Sequence, residues 1–292
     1  MTTGVQVVQR FSDVLDNPPP DVALPASLVL VGAGKMGGAL LDGWLRSGLD
    51  PLRITIVEPH PSPTIERTAA ERGIALTAAP DGIGAPQALV LAVKPQLLDE
   101  AAPALERLAG ADTLVLSILA GKTLDNLAGR FPRARAIVRA MPNLPASIGR
   151  GITGAAASQA IDAAQKATAT ALLSGAGDVE WLDDEALIDA VTGVSGSGPA
   201  YVFYLVEALA EAGVAAGLPA ALAQRLARAT VTGAGALLDE SPLTAAELRE
   251  AVTSKGGTTA AALAVLGGVN GIGPILTSAV AAARRRAAEL SG

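Results

Sequence analysis

Three unbroken apolar runs constrain the fold of this chain more than any other feature. They are LVLV (Leu28–Val31), ALVLAV (residues 88–93) and TLVLSIL (residues 113–119). None shows the polar alternation of a strand with one wet face. Runs of this kind suit strands covered on both sides, as in a parallel sheet. RITIVE (residues 53–58) and RAIVRA (residues 135–140) read as further strands. Helix-like segments separate them, one reaching about Ser47 and one over residues 64–72. The alternation predicts an α/β, doubly wound parallel sheet.

Beyond Met141 the pattern loosens. Residues 158–173 read as a helix and DVEWL (residues 178–182) as an edge strand. From about Glu185 strand signals stop. Residues 187–214 are helical around an SGSGP interruption, and residues 219–239, 244–252, 258–266 and 274–290 complete an all-α half. The chain thus divides into an N-terminal extension over residues 1–27, a sheet domain over 28–184 and a helical domain over 185–292.

The bulk chemistry narrows the function. The 292 residues carry a net charge of −6, against the basic face a general nucleic-acid binder needs. Cysteine is absent and His60 is the single histidine, so thiolate chemistry, a Ser–His–Asp triad and a His/Cys metal site are not expected. The uncharged stretch 256–283 is interrupted by GGVNGIGP and reads as a soluble helix pair, not a membrane span. With no targeting segment visible, a cytoplasmic location is expected.

VGAGKMGG (residues 31–38) stands where the first strand turns into the first helix. Gly32, Gly34 and Gly37 have dinucleotide-binding spacing: one for the tight turn, one for approach of a pyrophosphate, one for helix–strand packing. Ala33, Lys35 and Met36 complete the turn, and Lys35 adds positive charge. Glu58 ends the second strand roughly 20 residues on, placed to accept ribose hydroxyls and to disfavour a 2′-phosphate. Ligands of open parallel sheets bind outside the carboxyl ends of the strands. Val93, Lys94 and Pro95, then Ala120 and Gly121, then Asn143 of RAMPN should therefore line the coenzyme. Far along the chain, VTSKGGTT (residues 252–259) opens an alanine-rich helix. Free N–H groups, hydroxyls and the positive end of the dipole make it a candidate pocket for a small carboxylate. SGSGPAY (residues 195–201) breaks a helix with glycines that permit close approach of another group.

Together, GAGKMGG, AVKPQ, ILAG, RAMPNLPASIG, VTGVSGSGPAYVFYLVEALAEAGVAAGLP and VTSKGGTTAAAL, in that order, resemble pyrroline-5-carboxylate reductases. The resemblance runs from about Leu28 to the end. It implies a Rossmann-like domain joined to a helical dimerisation domain, as homodimers that often assemble into larger rings. It implies NADPH or NADH as coenzyme and hydride transfer to the imine carbon of pyrroline-5-carboxylate, giving proline. The substrate carboxylate would lie on Gly257, Thr258 and Thr259, beside Ser254. Thr259 would hydrogen-bond the ring nitrogen, and Glu185 matches a glutamate near bound proline. The chain departs from the family at Lys255, where proline is common, and at Lys35, where asparagine or glutamine is common. Two rivals differ in class. A two-domain 3-hydroxyacid dehydrogenase would need lysine at Val202, and a non-catalytic dinucleotide sensor would have no use for GGTT.

Overall fold

The computed structural model describes residues 24–291, so the expected N-terminal extension lies, up to residue 23, outside the described residues. Among the described residues, eight strands form one sheet. They are β1 (Leu28–Val31), β2 (Ile54–Val57), β3 (Ala75–Thr77), β4 (Ala88–Leu91), β5 (Leu114–Ser117), β6 (Ala136–Met141), β7 (Gly151–Ala157) and β8 (Gly177–Trp181). Their order is β3-β2-β1-β4-β5-β6-β7-β8. The order reverses beside β1, as in doubly wound sheets.

The apolar runs alternate between two cores. Leu28, Leu30, Ile54, Ile56, Val90 and Leu116 face one side of the sheet. Val29, Val31, Val57, Leu89, Leu91 and Val115 face the other. Helix α1 (Lys35–Arg46) buries Leu40, Leu41 and Trp44 on the first side. Helices α3 (Leu98–Leu105) and α4 (Leu124–Arg130) cover the second, with Leu98, Leu105 and Leu127. The polar helix α2 (Pro63–Arg72) follows β2, N-capped by Ser62, whose hydroxyl accepts from Ile65 N–H, and closed by Gly73 at φ 71°. Helix α5 (Ala163–Ser174) opens with a capping box between Asp162 and Gln165. Trp44 Nε1 donates to Leu172 O at 2.7 Å, tying α1 to α5. A Cβ on Gly43 would strike Gly175 O, so α1 tolerates no side chain at that position.

Two strands escape the sequence reading, and one pair corrects it. β7 was not expected, and it pairs antiparallel with β6, so the sheet is parallel except at that ladder. The β6–β7 connection is a short 3₁₀ turn, Leu144–Ile148, ended by Gly149 at φ 71°. A link of this length cannot make the crossover that parallel pairing requires. In GITGAAA only Ile152 and Thr153 are β-branched and no residue is aromatic, so the strand signal is weak; Ala155 and Ala156 are buried without bulk. β3, three residues at the sheet edge, is too short to show a pattern.

Two compact bodies result. One contains the sheet, up to Gly196, together with the segment from Arg284 onward; the other spans Ser197–Ala283. The first body ends in a 3₁₀ turn (Glu185–Leu187), helix α6 (Ile188–Val191) and a π-helical turn (Thr192–Gly196). In the second, α7 (Gly198–Ala215) and α8 (Ala220–Glu240) form a hairpin turned by Gly217 at φ 98°. Ala210, Ala223 and Ala227 are buried in it. Helices α9 (Ala245–Ala251), α10 (Thr258–Leu266) and α11 (Ile272–Ser291) follow, the last residues of α11 packing with the first body.

Candidate coenzyme and substrate sites

Parallel register sets the first site. Val31 pairs with Leu91, Leu91 with Ser117, and Ser117 with Arg139, so four strands end along one edge. The segments expected at a coenzyme follow those ends directly: Gly32 to Gly37, Val93 to Pro95, Ala120 with Gly121, and Asn143.

The three glycines of the first turn have different causes. Gly32 has φ 89°, and a Cβ there would lie 2.8 Å from the backbone of Ala92 and Val93. A Cβ on Gly37 would strike Gly32 O. These two are glycine because the chain itself leaves no room. A Cβ on Gly34 would meet no atom of the described residues within 4 Å. Gly34 is also the N-cap of α1, with no side-chain cap and no acidic residue in the first turn. An open helix start with a bare backbone at its cap fits an incoming phosphate oxygen. Beside it, Lys35, Ser62, Thr64 and Thr68 line a cavity of about 310 Å³.

Glu58 is more committed than its position suggests. Its Oε2 accepts from Ala33 N–H at 2.9 Å and its Oε1 from His60 N–H at 3.0 Å. It braces the glycine-rich turn from the end of β2. His60 is an exposed loop residue. Lys94 is exposed and opens a 3₁₀ turn over Pro95–Leu97, while Val93 and Pro95 are half-buried. Asn143 is buried, and its Oδ1 accepts from Ile152 N–H, joining RAMPN to β7. Gly121 has φ 72°, and Leu290 O lies 2.6 Å from where its Cβ would be.

Glu185 stands in the first body. Its Oε1 accepts from Leu124 N–H and from Arg139 Nη1, both at 2.8 Å. Arg139 was not singled out in the sequence. The available signal was a charge inside a strand otherwise made of Ala, Ile, Val and Met. Gly196, in the SGSGP segment, does receive a close neighbour: its Cβ would lie 2.9 Å from Met141 Cε.

The second site is the turn before α10. Gly257 N–H donates to Ser254 O at 3.0 Å, and Gly256 has φ 74°. That is a turn of type II character, with Lys255 at its first central position. The Ser254 hydroxyl tucks against Gly257. Gly257 then N-caps α10 with no side-chain cap. The Gly257 N–H is thus spent within the turn, and the helix start presents the N–H groups of Thr258 and Thr259. Thr259 and Gly257 are half-buried; Ser254, Lys255 and Thr258 are exposed.

Comparison with known proteins agrees with both halves. Residues 185–290 match the family model "Pyrroline-5-carboxylate reductase dimerisation". Residues 27–121 match "NADP oxidoreductase coenzyme F420-dependent". A pyrroline-5-carboxylate reductase of Synechocystis sp. is 43% identical over 269 residues, covering 90% of this chain and 97% of the relative. A solved structure described as a pyrroline-5-carboxylate reductase from Coxiella burnetii superposes with TM-score 0.85 at 34% identity, covering 92% of this chain and 99% of the other. The Plasmodium falciparum pyrroline carboxylate reductase, solved with NADP bound, shares the fold with TM-score 0.76 at 24% identity, over 92% of this chain and 100% of the other.

Proposed function

The chain belongs to the pyrroline-5-carboxylate reductase family and catalyses the NAD(P)H-dependent reduction of 1-pyrroline-5-carboxylate to L-proline, the closing step of proline biosynthesis; we propose that the Gly32 turn and the α10 helix start carry the two halves of that reaction. Gly34 is the observation that carries the coenzyme half. Among the described residues no neighbour accounts for the absence of a side chain there, whereas the needs of the chain explain Gly32 and Gly37.

Gly34, Lys35 and Met36 would hold the pyrophosphate on α1 backbone N–H groups. Ala33 would contribute shape only, since its N–H is bound by Glu58. Val93, Lys94, Pro95, Ala120, Gly121 and Asn143 would line the nicotinamide side. The bound reduced coenzyme supplies the hydride. On the substrate side, Thr258 and Thr259 N–H would take the carboxylate, with Ser254 and Gly257 shaping the turn beneath it. The Thr259 hydroxyl would hydrogen-bond the ring nitrogen and orient the imine carbon. A protonated imine is already an electrophile, so the residues need chiefly to orient. Hydride adds to the carbon, the nitrogen keeps its proton, and the product is the secondary amine.

Oxidation of NADH or NADPH by the purified protein, dependent on added pyrroline-5-carboxylate, tests the assignment. Thr259→Ala should lower kcat about ten- to a hundredfold through lost orientation, with thermal unfolding unchanged. Wild-type kinetics in that variant would remove Thr259 from the reaction. The chain carries a dimerisation domain. We propose a homodimer, assembled further into a ring, acting in the cytoplasm.

A further inference from the structure

Arg139 is 5% exposed, a charged residue in the middle of the sheet. It lies on β6 between Ser117 of β5 and Ala156 of β7. Its Nη1 donates to Glu185 Oε1 at 2.8 Å. Its Nη2 faces Asp189 Oδ1 at 3.5 Å and Ser291 Oγ at 3.4 Å. One guanidinium therefore joins β6, the turn that begins at Glu185, helix α6 and the last turn of α11.

Stability does not account for this cluster. Desolvating a buried arginine and its carboxylates costs about as much as their attraction returns, and well-packed apolar residues often serve as well. A planar fork with several donors can instead fix segments in one geometry. The segments fixed here converge on the loop after β5. Glu185 Oε1, held by Arg139, accepts the N–H of Leu124, where that loop enters α4. Leu290, next to Ser291, presses its carbonyl against Gly121 in the same loop. Arg139 thus holds the partner on each side of the segment from Leu119 to Thr123.

We infer that Arg139 is a positioning residue, acting through Glu185 and the end of α11 to set the loop carrying Ala120 and Gly121 at the coenzyme. The inference rests on the assignment of that loop to the nicotinamide side. It also gives Glu185 a part that needs no contact with substrate.

Arg139→Lys keeps the charge and loses the fork; Glu185→Gln keeps the shape and loses the ion pair. Two readouts are needed: kcat and KM with pyrroline-5-carboxylate, and the Kd of reduced coenzyme from its fluorescence in the absence of substrate. In both variants kcat should fall about ten- to a hundredfold and coenzyme Kd should rise, while KM for pyrroline-5-carboxylate stays within about twofold. A folded variant with wild-type kcat and coenzyme Kd overturns the inference. So does a Glu185→Gln protein altered only in KM for pyrroline-5-carboxylate, which would place Glu185 on the substrate itself. If Arg139→Lys does not fold, Glu185→Gln decides alone. If the wild-type protein binds coenzyme without turning over pyrroline-5-carboxylate, the functional assignment fails, and the coenzyme Kd of the variants still tests the positioning role.

Discussion

At the scale of single residues, identical letters in one motif have unlike causes. Gly32, Gly34 and Gly37 are indistinguishable as sequence. Only Gly34 has open space where its Cβ would stand. Gly34→Ala should therefore leave the fold and melting temperature unchanged and weaken coenzyme binding about tenfold or more, by crowding the phosphate approach. Fluorescence titration of NADPH or NADH checks it; unaltered affinity would show that nothing approaches Gly34. Glu58 carries a similar lesson. Its spacing pointed to a ribose contact, and its carboxylate spans the N–H groups of Ala33 and His60. Its removal would loosen the turn for either coenzyme, so a change in selectivity after mutation needs separating from a general loss.

At the scale of elements, the caps of the helix starts show which of them are closed. Helix α9 is closed by a capping box in which Thr244 N–H and hydroxyl hold the Glu247 carboxyl below its ordinary range. A depressed carboxyl stabilises the fold above its unfolded pKa, and that contribution is lost as pH falls through the folded value. Helices α1 and α10 begin on glycine with no side-chain cap. The turn before α10 also accounts for Lys255. The first central position of a type II turn accepts most residues and favours proline, whose φ is preset. Lys255→Pro should raise unfolding stability by about 0.4–1 kcal/mol by restricting the unfolded chain. Denaturant titration measures this, and a lower midpoint would show that Lys255 does not hold the expected φ. Periodicity made most elements legible, including the edge strand β8 and every long helix. It failed at β7, where alanine and glycine fill a strand that neighbours bury on both faces.

At the scale of the whole molecule, the helical body leaves its apolar residues in the open. Phe203 is 57% exposed, Tyr204 71%, Val265 75% and Val269 89%. Among the described residues, α9 and α10 bury none. So much uncovered apolar surface marks an interface, and the match of residues 185–290 to a dimerisation family says of what kind. Val265→Asp should shift the protein toward monomer in analytical ultracentrifugation and lower activity at dilute concentration; an unchanged sedimentation coefficient would place the interface elsewhere. The sequence alone determined most of the elements, the glycine-rich turn and the GGTT helix start, because these are local: periodicity and turn chemistry act over a few residues. The antiparallel β6–β7 ladder, the Arg139 cluster, the bracing role of Glu58 and the difference between Gly34 and its neighbours were decided by tertiary structure. Each depends on which atoms meet across long stretches of chain, and the residue type alone carries no record of that distance.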